Sequence, residues 1–591
     1  MALDATPLEI FLHIIEYIEV EDVISLRKTC KALQGITSHR SVWFDILHYK
    51  IIRRGIPTPG TTHLDISSAS ARELEEVCIR AVKLRRNWVL PRPQYASQTS
   101  FFPRRKSPNI TEPFPTPPLS ETVISPDIKV TRCLALYFLP GRSNRYLVVI
   151  LRIDSGAFRG PQSPPAFEIQ CWDIAEQIGD PRPIAQCSCS SLLSACVNVD
   201  PKHPACLIIT RREHRQEQEA VSFAFRIDFD SADQPKVHSF QQHSVFPSYK
   251  NAVRLEGSLF FASDETHCVH IINIDTGNVL YRLNAPLFQF DATVFPEEYK
   301  CLNSLIVGDF VLMFRQQWIH LYEIPGLTAT PVATSTEPTG NTEPVVLRHV
   351  AEYKWPWRID TVDVMAKHPH ALRDQFNQLD TIPSRTQPPP PVHILVRFAS
   401  IFPWPVNILH SYILPSNTEF DMTASAGQNT IRDHLPYLPT NASEASEELK
   451  PYIAASINSP VRIFTPSDTA MGGYGTILYM DAQNDASAVA QASDRGQRIA
   501  GKLLDFVSRP KNAGVLPRHA VDLVANEDTN AALTNEQLGT NGGDNSGRGG
   551  RGMVFHIQED KDDWARIAMC EEEGIIVVGS IRDEVLVYRY I

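Results

Sequence analysis

No stretch of this sequence is apolar for long. Its apolar runs, such as Leu147–Leu151 and Gly574–Val578, are strand-sized and far below the roughly 18 residues that a membrane-spanning helix needs, so no membrane partner is expected. The first residues include acids and lack the charged-then-apolar order of a secretory signal. The 11 cysteines stand singly apart from Cys187-Ser188-Cys189, a scatter that predicts reduced thiols rather than a disulfide framework. Together these absences predict an intracellular protein, of the cytoplasm, the nucleus or both. An excess of one charge is also missing. A net charge of −11 over 591 residues argues against a general nucleic-acid binder. Glycine is sparse beside proline, 28 against 45, and the prolines gather in a few segments that mark boundaries.

Chemical motifs are scarce too. Cys187, Cys189, Cys196 and Cys206 lack the two-residue gap of a zinc pair and have only His203 nearby, so they read as small buried thiols. His203 and His214 with Arg211, Arg212 and Arg215 read as a charged hairpin loop. Gly472-Gly473-Tyr474-Gly475 is followed by neither the helix nor the lysine of a phosphate loop. The short Gly-Arg run at 547–552 does not carry a nucleic-acid claim. Trp355-Pro356-Trp357 and Phe402-Pro403-Trp404 read as aromatic-proline turns for blade-edge packing, or less favourably for partner recognition. No cofactor, metal or catalytic residue is expected.

What is present begins at residues 6–44. Leu8, Phe11, Leu12, Ile15 and Ile18 recur at helical spacing, while Ile10 and Ile14 lie beside that stripe as apolar surplus. A second helix starts at Glu21-Asp22, acids suited to a helix N-terminus, and a third ends on Ser41–Phe44. The order Pro7-Leu8-Glu9-Ile10, Ile14-Ile15, Ile18, Asp22–Arg27, Cys30-Lys31 and Trp43 resembles an F-box, although that family opens Leu-Pro where this chain has Thr6-Pro7. The resemblance implies an F-box over 1–50 that docks on the Skp adaptor of a cullin–RING ubiquitin ligase. It transfers adaptor contacts to Pro7, Leu8, Ile10, Ile14, Leu26, Cys30 and Trp43. For Leu26 and Trp43, the domain's own core is nearly as good a reading.

Residues 47–63 read as a loop, and 51–127 as a linker helix and connector. The helix, near Ser67–Leu90, has Ser70 and Glu73 at capping-box spacing and an apolar stripe of Leu74, Val77, Cys78, Ala81, Leu84 and Trp88. It resembles the linker of many fungal F-box proteins. Arg104-Arg105-Lys106 reads as solvated linker in preference to a nuclear signal. Eight prolines between 91 and 118 predict an extended connector.

From residue 128 to 591 the pattern is strands. Trp172, Ile227, Ile274, Tyr322, Tyr412, Tyr479 and Tyr588 close similar alternating segments. The first three intervals are about 50 residues, close to the period of propeller blades. The wider ones hold insertions near 328–346, 369–391, 415–449 and 525–552, compositions read as disordered. Arg566–Cys570, Ile575–Gly579 and Glu584–Tyr588 form the clearest blade. The whole resembles a WD-repeat domain, with Trp172-Asp173 at the expected strand end. The expected fold is multidomain: a small all-α F-box and linker helix, then an all-β propeller of about seven blades, six or eight also fitting. The expected function is substrate recognition in an SCF-type ligase, with adaptor, cullin and an unknown protein substrate as partners. The alternative is a scaffold that binds the adaptor without ubiquitin transfer.

Overall fold

The computed structural model describes residues 7–15, 17–61, 64–103, 130–141, 144–154, 166–175, 183–212, 220–227, 229, 238–247, 249–284, 299–324, 327, 344–366, 389–398, 407–417, 420, 435–438, 449–459, 468–482, 496–503, 552–559, 563–581 and 584–591. Helices come first: α1 (Leu8–Ile15), α2 (Val20–Arg27), α3 (Lys31–Thr37) and α4 (Arg40–Asp45), which runs into a π-helix over Ile46–Ile52. That last turn corrects the loop expected from residue 47. Ile46, Leu47, Ile51 and Ile52 are all buried in the helical core, so apolar burial carries the helix on to Ile52, and Gly55 follows at positive φ.

Helix α5 (Ala71–Trp88) opens with the expected capping box between Ser70 and Glu73. Its six stripe residues are all buried, and they divide between two cores. Leu74, Val77, Cys78 and Ala81 pack into the helical domain. Leu84 and Trp88 pack among propeller side chains such as Leu478, Phe555 and Tyr590.

The body is a seven-blade β-propeller. Its blades run in chain order from Val130, each a meander of four antiparallel strands with the first strands abutting one another around the axis. Blade 1 begins at Val130–Phe138, blade 2 at Ser194–Val197, blade 3 at Asn251–Glu256, blade 4 at Cys301–Val307, blade 5 at Ile359–Ala366, blade 6 at Thr469–Met471 and blade 7 at Trp564–Cys570. Blade 7 takes its outermost strand from Ser97–Phe101, antiparallel to Val585–Arg589. The propeller thus starts before residue 128. The window between Pro93 and Pro103 is free of proline, so its backbone can join the ladder, and Phe101 stacks on Trp172 of blade 1 at 4.4 Å. Closure between the two chain ends leaves no open interface in the ring.

A chain of side-chain links crosses every interface near the axis. The Tyr137 hydroxyl donates to the Ala195 carbonyl, and Ser194 accepts from the Ala252 amide. Arg254 donates to the Ser304 carbonyl and Asn303 to that of Val362. Thr469 donates to Asp363 at 2.9 Å. Asp468 accepts from the Ile567 amide at 2.8 Å, and Arg566 donates to the Leu134 carbonyl. Two blades also gain a fifth, parallel strand from the next blade's last connection: His238–Ser239 on blade 1 and Val345–Leu347 on blade 3.

Trp172, Tyr322, Tyr412 and Tyr588 lie on the third strands of their blades, and Ile227 and Ile274 just beyond theirs. Tyr479 instead lies on the second strand of blade 6, Thr476–Ala482. The true third strand, Gly496–Leu503, carries two glycines and a weaker alternation. The insertion 415–449 is not all outside the core, because Phe420, Tyr437 and Leu438 are buried with blades 4 and 5. Most of the other three insertions, the 104–106 basic cluster, His214, Arg215, Phe402 and Trp404 lie outside the described residues. The Cys187 and Cys189 thiols are buried in the blade 1–2 core, with Cys206 packed against it, while Cys196 packs against the core of blades 2 and 3. Burial pushes the Cys189 thiol up to about 11. His203 sits in a turn of blade 2 and pairs with Asp275 of blade 3, while Arg211 and Arg212 end the second strand of blade 2, Ala205–Arg212.

Two predictions follow from these contacts. Trp88→Ala removes a buried indole from the joint, and the cost is expected near 3–5 kcal/mol, read as a lower thermal midpoint. Burial raises the Asp363 carboxyl to about 6, mainly against the Thr469 hydrogen bond. The folded chain then holds a proton that the unfolded chain has released, so stability from this group falls as pH rises through roughly 4 to 6. Asp363→Asn should therefore gain midpoint relative to wild type between pH 4.5 and pH 7. A difference that is flat or shrinks over that range would contradict this assignment.

Candidate partner-binding site

Helix α1 is apolar on two faces. One is internal: Phe11 and Ile15 are buried, and Leu12 and Ile18 pack against the same core. The other faces solvent. Ile10 is 54% exposed, Ile14 37% and Tyr17 76%, and Pro7 is exposed beside them. Residues 10, 14 and 17 are spaced by four and three, the spacing of one helical stripe. Tyr17 extends it past the helix end and packs edge-on against His13 at 5.6 Å. The side chain of Leu8 lies outside the described residues.

The remaining proposed contacts separate by burial. Cys30 is exposed and caps α3, accepting from the Leu33 amide at 3.5 Å. Leu26 is partly buried against the core. Trp43 is fully buried, and its indole donates to the Thr37 carbonyl at 2.8 Å. Its side chain is a core element and is corrected from the contact set. Arg27 lies over the Trp43 ring at 5.5 Å. It also donates to the Thr37 carbonyl at 3.0 Å and pairs with Glu75 of α5 at 2.6 Å. One guanidinium thereby fixes α2 to α3 and α5. Tyr17 was not read from the sequence, although its seven-residue offset from Ile10 was available.

The helical domain is held on one face of the propeller. The Trp88 indole donates to the Thr476 hydroxyl at 2.7 Å, which in turn donates to buried Glu571. The same carboxylate accepts from the Tyr474 amide at 2.7 Å and the Thr476 amide at 3.2 Å. Burial pushes the Glu571 carboxyl up while these hydrogen bonds oppose the rise. The Gly472–Gly475 run is thus a hairpin turn built around a carboxylate: a Cβ on Gly472 would meet Glu571 at 2.2 Å. Gly574, at φ +64°, admits Leu84 in the same way. The Gly60 amide donates to Glu573 at 3.0 Å.

All these contacts fall on turns between first and second strands of blades 6 and 7. In an antiparallel meander the second-to-third turns and the blade-to-blade connections lie on the opposite face. The connection holding Trp355–Arg358 is of that kind. Trp355 is buried against Tyr412 at 5.1 Å, whereas Trp357 is 69% exposed. Among the described residues, one group has the donor geometry for a metal ion: His320, His349 and Glu352, on blade 4.

The two faces of α1 separate by mutation. Ile10→Ser with Ile14→Ser should leave the thermal midpoint nearly unchanged, within about 0.5 kcal/mol per site. Phe11→Ala should cost about 3–5 kcal/mol. A large loss in the double serine variant would place those side chains in the core instead.

Residues 4–48 match the F-box-like family. No curated protein matches the chain. Among solved structures, the β-propeller domain of Myceliophteria thermophila Cps50 (Swd1) is similar at 8% identity and a TM-score of 0.37, covering 78% of this chain and 99% of that one. The chain therefore joins an F-box-like domain to a seven-blade β-propeller.

Proposed function

We propose that this chain is the substrate-recognition subunit of an SCF-type cullin–RING ubiquitin ligase, working in the cytoplasm or nucleus. An F-box-like domain joined to a propeller fits substrate receptors in general, and the architecture is typical of non-catalytic adaptors. The observation that carries the finer reading is the exposed apolar stripe of Pro7, Ile10, Ile14 and Tyr17. It lies on the element that F-box domains use to grip the Skp adaptor, with Cys30 and Leu26 nearby in the same domain. The adaptor brings the cullin, and the propeller holds a protein substrate. Its face turned away from the F-box-like domain, where Trp357 stands exposed, is available for that partner. Catalysis comes from proximity: holding the substrate near a charged conjugating enzyme raises its effective concentration without chemistry from this chain.

The test is co-purification with the adaptor, comparing wild type with Ile10→Ala plus Ile14→Ala. Each buried interface side chain removed costs roughly 1–3 kcal/mol, so adaptor recovery should collapse in the double variant. Undiminished recovery would sink the assignment. Cullin in the wild-type pulldown supports the ligase, whereas adaptor without cullin supports a scaffold.

A further inference from the structure

We propose that the outer edge of blade 5 is a docking strand, and that the propeller's protein partner adds an extended, uncharged segment alongside Tyr452–Ser459. This rests on the reading of the propeller as the partner-holding body and names the class of segment it takes. Tyr452–Ser459 is the outermost strand of blade 5, eight residues with neither a charge nor a proline. Among the described residues, no strand pairs with its far side. Ile453 is 52% exposed and Tyr452 49%. One residue, Ala454, bulges between Ile453, opposite Tyr412, and Ala455, opposite Ser411, which leaves Ala455–Ser459 as an unbroken run.

The other outer edges are covered or blunted. Those of blades 1 and 3 carry the parallel strands His238–Ser239 and Val345–Leu347. On blade 6 the Val554 amide of the outer strand donates to the Pro91 carbonyl at 2.8 Å. Blade 2 ends on Gln241–Pro247, which closes on a proline and holds His243 against Asp275 of blade 3. Blade 4 ends on four residues that include Glu352 and Lys354, and blade 7 on Ser97–Phe101, where only Phe101 is apolar. Cover, charge, proline and short length are the devices that keep a sheet edge from pairing. Tyr452–Ser459 carries no charge or proline and is long.

The source of the added strand follows from its neighbours. Blades 1 and 3 are covered by residues just ahead of the next blade's fourth strand. The equivalent stretch ahead of Gly552 in blade 6 reads Gly547-Arg548-Gly549-Gly550-Arg551, and glycine is poor strand material. A second copy pairing along the whole edge across a two-fold axis would set Tyr452 and Ile453 opposite Ser459 and Asn458, apolar against polar. A different protein supplies the strand. Its chemistry is set by the floor beside the edge. Ile453 faces Tyr412 across the ladder, so their side chains share one side of the sheet. There Tyr412 packs on Trp355 at 5.1 Å, and Trp355 meets Tyr353 of blade 4's outer strand edge-on at 5.5 Å. An added strand lays every second side chain toward this aromatic floor. The segment is therefore apolar at alternate positions, free of charge, and parallel to Tyr452–Ser459, as the covers of blades 1 and 3 are to theirs. Main-chain hydrogen bonds hold it, and the floor selects its side chains.

The experiment applies the full chain, without adaptor, to an array of uncharged octapeptides in which valine, isoleucine, tyrosine or phenylalanine alternates with threonine, serine or glutamine. The tightest binder is then followed by hydrogen exchange. It should slow exchange of outward-pointing amides in Tyr452–Ser459 by at least about tenfold. Ile453→Lys places a charge on the open edge and should weaken capture by at least about tenfold, with a thermal midpoint near that of wild type. Capture by no peptide, protection elsewhere on the chain, or equal capture of Ile453→Lys would overturn the proposal. Slow exchange of the same amides before peptide is added would also overturn it. In a chain that light scattering shows to be monomeric, that result means cover from its own residues; in a dimer, cover from a second copy. Because no adaptor is present, this outcome and that of the co-purification test are read independently.

Discussion

The hydrogen bond from the Trp88 indole to Thr476 is the point on which the arrangement of the two bodies depends. It is short, buried and backed by Glu571, whose carboxylate is spent on the same hydroxyl and two backbone amides. A buried carboxylate is tolerated only where its lone pairs are taken up, so this network ties the turn of blade 6 to the end of α5. Because α5 is one uninterrupted helix, its first turns belong to the F-box-like core and its last turn to the propeller. No hinge lies between them within the helix. The solvent-facing stripe of α1 is therefore set at one distance and angle from the blades.

The propeller is held by two kinds of constraint. Apolar packing between neighbouring sheets supplies most of the burial, as in the shared core of blades 1 and 2. Near the axis, where sheets converge and side chains must be small or polar, each interface is pinned by a directional hydrogen bond. Asp363, Asp468 and Arg566 are the charged members of that chain. Their hydrogen bonds with Thr469, the Ile567 amide and the Leu134 carbonyl stitch blades 5, 6, 7 and 1 together.

Much of this was legible in the sequence because it is periodic. The α5 stripe from Leu74 to Trp88, the Ser70–Glu73 cap and the three C-terminal strands all follow local rules that need no knowledge of distant partners. The F-box order of residues 7–43 was readable for the same reason, as was the apolar surplus at Ile10 and Ile14. What escaped reading depended on pairing across the chain. Ser97–Phe101 is a strand only because Val585–Arg589 offers it an edge. Trp43 closes its motif in a way that suits either a contact or a core, and burial alone settles it. Phe420 and Tyr437 sit in a polar insertion whose composition gives no sign that part of it reaches the core. The metal-like cluster on blade 4 joins residues 29 and 32 positions apart in sequence that only the ladder between strands three and four makes neighbours.

The parallel strands laid on blades 1 and 3 have a further meaning. Each is supplied by the blade that follows, so the outer edge of one blade is covered by chain belonging to the next. In a ring of independent repeats, a blade could be lost or duplicated singly, with nearest-neighbour interfaces the only cost. Here blades 1 and 2 form one such unit and blades 3 and 4 another. Opening the second member strips an edge from the first, so the two members of a pair are coupled in unfolding.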